Sequence, residues 1–187
     1  MRSYCLSLLL VLAFPAAGKE VLGVEFDEHI TLGPGQPTLV LNGTAVRRKQ
    51  QYTTYVAGLY LAIRNDSAER VLRDLGPKRL LLCLQMEAVE ASALISAMNQ
   101  GFALNHSRDE LRVLLPQIAR FNQLWGATLK RGDRLRFDYV PGEGTRVLVN
   151  DLSLGTVPGA EFNRALLKTF IGPHPVARNV KDGLLGF

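Results

Sequence analysis

The chain has 187 residues, of which 47% are hydrophobic and 21% charged, and carries a net charge of +5 at neutral pH. That length suits one domain with a sizeable core, and the apolar balance excludes intrinsic disorder. The positive excess is mild, with Arg47-Arg48-Lys49 as its densest run. It suits an anionic small molecule or an anionic membrane surface, and no nucleic-acid-binding motif accompanies it.

Residues 1–18 read as a secretory signal peptide. Arg2 supplies the positive start, Tyr4 to Phe14 the apolar stretch, and Pro15-Ala16-Ala17-Gly18 the small residues of a cleavage site. Cleavage after Gly18, or alternatively after Ala17, leaves a domain over 19–187. The apolar stretch is short for a permanent anchor, and no later stretch is long and apolar enough to span a bilayer. The expected chain is therefore exported and periplasmic, with no transmembrane segment in its mature form. Loss of the leader removes Cys5 and leaves Cys83 alone, so no intramolecular disulfide is expected. Cys83 stands in Leu80-Leu81-Leu82-Cys83-Leu84 and reads as a small buried hydrophobe.

Beyond the leader, 21–26 reads as a short strand and 33–37 as a loop. A second strand over 38–42 meets Asn42-Gly43, a strong turn signal. Residues 52–63 are rich in aromatic and β-branched side chains and read as a strand. Asp66 with Glu69 forms a capping box for a helix over 68–75, which Gly76-Pro77 stops. The nearly continuous apolar run 79–86 reads as a strand buried on both faces. Leu94, Met98, Gly101, Phe102 and Asn105 share one helical stripe. Ser107 with Glu110 caps a second amphipathic helix bearing Leu111, Leu114, Leu115, Ile118, Phe121 and Trp125, with Pro116 as a kink or restart. Leu135, Phe137 and Tyr139, then Val147 and Val149, then Leu152 and Leu154 alternate between turns at 141–144 and 150–151, which predicts a β-meander. A last helix over 160–171 turns Phe162, Leu166, Thr169 and Phe170 inward and ends at Gly172. Strands and helices segregate in part, so the fold class is α+β, an antiparallel sheet with helices on one face.

The sequence contains no G-x-S-x-G, Walker loop, G-x-G-x-x-G or H-E-x-x-H. His29, His106 and His174 are scattered, and no metal site or cofactor is expected. The informative positions are polar residues on otherwise apolar stripes: Arg47, Asn105 and Thr169. Left unpaired in a core, each would cost a few kcal/mol, about 1–3 for a neutral group, so each needs a partner. Local pairing answers the need for each singly: a cap for Asn105, an in-helix carbonyl for Thr169, water for Arg47. Together they would line an apolar cleft suited to an amphipathic anion.

Two blocks carry a resemblance. Leu41-Asn42-Gly43-Thr44-Ala45-Val46-Arg47, followed by Tyr55-Val56-Ala57-Gly58-Leu59-Tyr60-Leu61, is one. Ala165 to Val176 with Leu184-Leu185-Gly186 is the other. Through them the chain resembles the chalcone isomerase-like family, and its bacterial exported branch in particular. The resemblance implies an open-faced β-sandwich, a large antiparallel sheet with a layer of helices, and a cleft between them that needs no cofactor. In the true isomerases that cleft cyclises a chalcone to a flavanone. An arginine stabilises the attacking oxyanion, a threonine and a tyrosine polarise the enone carbonyl with water, and an asparagine and a serine or threonine hold a ligand hydroxyl. Carried over, Arg47 matches the arginine, Asn105 the asparagine and Thr169 the threonine of the last helix. Tyr55 replaces the catalytic threonine and Met98 the tyrosine, which removes carbonyl polarisation and with it orders of magnitude in rate.

The ligand-binding set expected is therefore Arg47, Tyr55, Met98, Asn105 and Thr169. The expected ligand is a small amphipathic or aromatic carboxylate such as a fatty acid. Two alternatives stand beside it: an intramolecular isomerase, and a structural or interaction protein of the periplasm whose cleft is vestigial and filled by Tyr55, Met98 and Phe102.

Overall fold

The computed structural model describes residues 18–126 and 128–187. The expected leader therefore lies outside the described residues, Gly18 excepted. The first elements are β1 (Lys19–Val21) and β2 (Val24–Phe26), an antiparallel hairpin. Leu22 and Gly23 join them at φ 51° and 75°, the backbone of a tight two-residue turn. A single strand over 21–26 was the reading from sequence; a leucine at positive φ gives no warning of the turn.

β3 (His29–Thr31) and β4 (Thr38–Lys49) pair next. β4 is one strand of 12 residues, where sequence reading ends a strand at an Asn42-Gly43 turn. The pair is instead a β-bulge: Leu41 faces Tyr60 and Gly43 faces Leu59 in β5 (Tyr52–Leu61), leaving Asn42 as the extra residue. Its amide is fully engaged. Nδ2 donates to the carbonyls of Asn65 at 3.1 Å and Leu184 at 2.8 Å, and Oδ1 accepts from the Asn65 N–H at 2.7 Å. Gly43 is required by close approach, since a Cβ there would lie 2.2 Å from the Gly183 carbonyl oxygen.

α1 (Ala68–Arg73) is capped by Ser67, not Asp66; the Ser67 side chain accepts from the Arg70 N–H, while Asp66 pairs with the Arg70 guanidinium at 3.0 Å. β6 (Lys78–Leu84) follows, then the short β7 (Ala88–Glu90), α2 (Ala91–Asn105) and α3 (Arg108–Gln123). The Ser107–Glu110 capping box forms as expected, with the Ser107 N–H donating to Glu110 Oε2 at 2.7 Å. α3 runs unbroken through Pro116. Leu114, Ile118 and Phe121 are buried, but Leu115, placed on the inner stripe from sequence, is 57% exposed.

β8 (Thr128–Lys130) pairs with β7 apart from the main sheet. β9 (Arg134–Val140), β10 (Gly144–Val149) and β11 (Leu152–Val157) form the expected meander. α4 (Ala160–Ile171) and α5 (Arg178–Leu184) close the chain; α5 was not anticipated. The seven-stranded antiparallel sheet has the order β11-β10-β9-β6-β5-β4-β3.

One face of this sheet packs under α2, α3 and α4. Leu59, Leu80, Leu82, Leu135, Phe137 and Val147 meet Phe102, Phe121, Phe162 and Leu166 there. The other face holds a second apolar cluster of Phe26, Leu39, Leu41, Val56, Tyr60 and Leu81. Phe26 sits over Gly58, where a Cβ would come within 2.7 Å of its ring, so the hairpin shelters the face that the helices leave uncovered. Among the described residues no helix is long and apolar enough to cross a membrane.

Candidate functional site

The floor of the site is the end of β4 and the start of β5. The bulge at Asn42 puts Gly43, Ala45 and Arg47 on the helix-facing side of the sheet, opposite Leu59, Ala57 and Tyr55 in turn. A second bulge follows at once: Arg47 faces Tyr55 and Arg48 faces Thr53, so Thr54 is the extra residue. Thr54 Oγ1 donates to the Arg47 carbonyl at 2.9 Å, and the Thr54 carbonyl accepts from the Gln85 N–H. Bulges of this kind re-aim a side chain, and here the side chains are Arg47 and Tyr55.

Arg47 is half-buried. Its Nη1 donates to the carbonyl of Arg48, and among the described residues no carboxylate pairs with it. Tyr55 beside it is buried. Burial raises the Tyr55 phenol well above its ordinary range, and the Arg47 guanidinium pulls in the opposite direction.

The wall is built by α2 and α4. They touch through Gly101, where a Cβ would stand 2.7 Å from Cβ and Cγ2 of Thr169. The Thr169 hydroxyl donates to the Leu166 carbonyl at 2.8 Å, within its own helix. Asn105 ends α2 as a clasp. Its Nδ2 donates to the carbonyls of Gly101 at 2.9 Å and His174 at 2.8 Å, and its Oδ1 accepts from the His174 N–H at 3.0 Å. Met98 and Phe102 descend from α2 into the core that also contains Tyr55. Phe102 is tiered with Phe162 and Phe121 at centroid distances of 6.0 and 6.4 Å.

The five residues expected from sequence thus fall into two local groups. Arg47 and Tyr55 are cross-strand neighbours. Asn105 and Thr169 meet around Gly101, and Met98 lies one turn earlier on the same helix. The polar atoms of Asn105 and Thr169 are engaged by the protein itself, while the Arg47 guanidinium retains donors. Sequence reasoning missed Thr54, whose bulge leaves no compositional mark. It also missed Asn179, whose Nδ2 donates to the Val46 carbonyl at 2.8 Å and ties α5 to the margin of β4. Among the described residues no group of three or more His, Cys, Asp and Glu side chains is placed to hold a metal ion.

A model of the chalcone isomerase-like family matches residues 18–186. The chain belongs to the chalcone isomerase-like family. A solved structure of the same overall shape is that of a fatty-acid binding protein of Arabidopsis thaliana. It is 14% identical, the match covers 90% of this chain and 96% of that one, and the TM-score is 0.65. That likeness establishes the chalcone isomerase-like fold: a large antiparallel sheet with helices packed on it. No curated protein matches the chain.

Proposed function

We propose that this chalcone isomerase-like protein is an exported, non-catalytic binder of a small amphipathic carboxylate such as a fatty acid. The observation that carries the reading is Arg47, a half-buried guanidinium without a carboxylate partner among the described residues, set beside buried Tyr55 on an apolar wall. A guanidinium fork takes a carboxylate through two parallel charge-assisted hydrogen bonds. The acyl chain lies along the helix-facing side of the sheet and displaces Met98, an unbranched side chain that repacks readily. Fatty-acid binding by a protein of the same fold in Arabidopsis thaliana supports this choice of ligand.

The reading is tested by titrating the mature chain with a fluorescent fatty acid and by native mass spectrometry of the purified protein. Saturable one-to-one binding is expected. Arg47→Ala should weaken it about ten- to a hundredfold, since hydrogen bonds to a charged group contribute about 1.5–3 kcal/mol. Empty spectra together with a flat titration would overturn the proposal. Naringenin chalcone should cyclise no faster with the protein than without it.

A second reading, a structural role with a vestigial cleft, draws on the burial of Tyr55, Met98 and Phe102 in one core. A flat titration accompanied by unchanged stability in Arg47→Ala would favour it.

A further inference from the structure

The loop 173–177, α5 and the end of α2 enclose an open groove of about 470 Å³. Its composition is two-sided. Leu104, 65% exposed at the end of α2, and Pro175 form an apolar lip, and Val176, 39% exposed, adjoins it. Arg178 and Lys181 of α5 form a cationic wall, with Asp182 as the carboxylate of the lining. Among the described residues Arg178 makes no ion pair. Lys181 keeps one hydrogen bond, from Nζ to the Gly172 carbonyl at 3.0 Å, and has donors to spare.

Exposed leucine and valine beside unpaired cations suit a surface that is anionic outside and apolar just beneath, which is the layering of an acidic bilayer. We propose that this groove is a docking face for a bilayer rich in anionic phospholipid, with Arg178 and Lys181 on lipid phosphates and Leu104 with Val176 in the acyl boundary. A protein partner with an acidic peptide would answer the charge but would leave the apolar lip without a role. The face adjoins the candidate site through α5, because Asn179, next to Arg178, bonds the Val46 carbonyl one residue from Arg47. It does not depend on the ligand reading, and the test below uses no fatty acid.

The experiment is co-sedimentation of the mature chain with large vesicles of phosphatidylglycerol and phosphatidylcholine, against vesicles of phosphatidylcholine alone, at low ionic strength. Sedimentation with the acidic vesicles is expected, and it should fall at least fivefold in Arg178→Glu and measurably in Leu104→Ser. Arg178→Gln, which keeps the helix and removes only the charge, should be intermediate. Circular dichroism of each variant confirms that it is folded. Equal sedimentation with both vesicle types would overturn the proposal, and so would none with the acidic one or wild-type behaviour of folded Arg178→Glu. Millimolar glycerol phosphate should leave the vesicle complex in place; if it dissolved the complex, the groove would be a site for a soluble phosphate and the bilayer assignment would fail.

Discussion

At the scale of single residues, close contact decides more than chemistry does. Gly101 lets α2 lie directly on the methyl of Thr169. Gly101→Ala should therefore destabilise the fold by about 1–3 kcal/mol, the usual cost of overpacking, read as a lower urea midpoint with an unchanged slope. Ionisation supplies a second residue-scale expectation. Burial pushes the Tyr60 phenol up to about 12, with the Asp27 carboxylate adding to the effect, and burial also raises Tyr55 and Tyr139. Each folded-state value lies above that of the unfolded chain, near 10, so the neutral phenol is the form the fold favours. Stability from these groups is complete below pH 10 and declines as the pH rises from 10 toward 12. Urea midpoints measured across that window should fall, and phenolate absorbance should rise together with unfolding.

At the scale of elements, α5 has the largest unread role. β3 pairs with Thr38–Val40, so among the described residues β4 beyond Leu41 lacks a strand on its outer side. α5 covers that margin through Asn179 on Val46 and through Gly183 against Thr44 and Ala45. An uncovered strand margin invites pairing with other chains. Removing residues 178–187 should lower the melting temperature and produce concentration-dependent oligomers on size-exclusion chromatography, while a chain lacking only Phe187, which is 80% exposed, should remain as it was. The back-face ion pair is a second element-scale device. Arg79 and Asp138 are register partners on β6 and β9 and form two hydrogen bonds of 2.6 Å. They hold two charged side chains between strands whose other residues on that face are partly apolar.

At the scale of the whole molecule, β1 begins at Lys19, the first residue that the proposed cleavage after Gly18 would leave. Expression in a host with a secretory pathway should yield a chain whose intact mass starts at Lys19, or at Gly18 with cleavage after Ala17. A mass that retains Arg2 would refute the export reading. Most of the architecture was legible beforehand. The meander, the last helix and the Ser107 cap rest on alternation, helical spacing and a capping box, all local patterns. The β1–β2 hairpin, α5 and the β7–β8 pair were not legible, because they are short and owe their stability to what they cover. The candidate site was half legible. Arg47 and Tyr55 face each other across β4 and β5, although a strand that ends at Asn42 leaves Arg47 outside any strand. Thr169 takes the in-helix carbonyl its own helix offers, and Asn105 reaches the His174 backbone across the fold, which local pattern does not reveal.

The bulge at Asn42 has a consequence for how this chain tolerates change. One supernumerary residue in a strand reverses the parity of everything after it. Excising Asn42 would straighten β4 with Gly43 still opposite Leu59, so Ala45 and Arg47 would keep their helix-facing side. Excising Thr44 with the bulge kept would instead set Arg47 opposite Val56 and so move the cation to the hairpin side, from a position remote from any ligand.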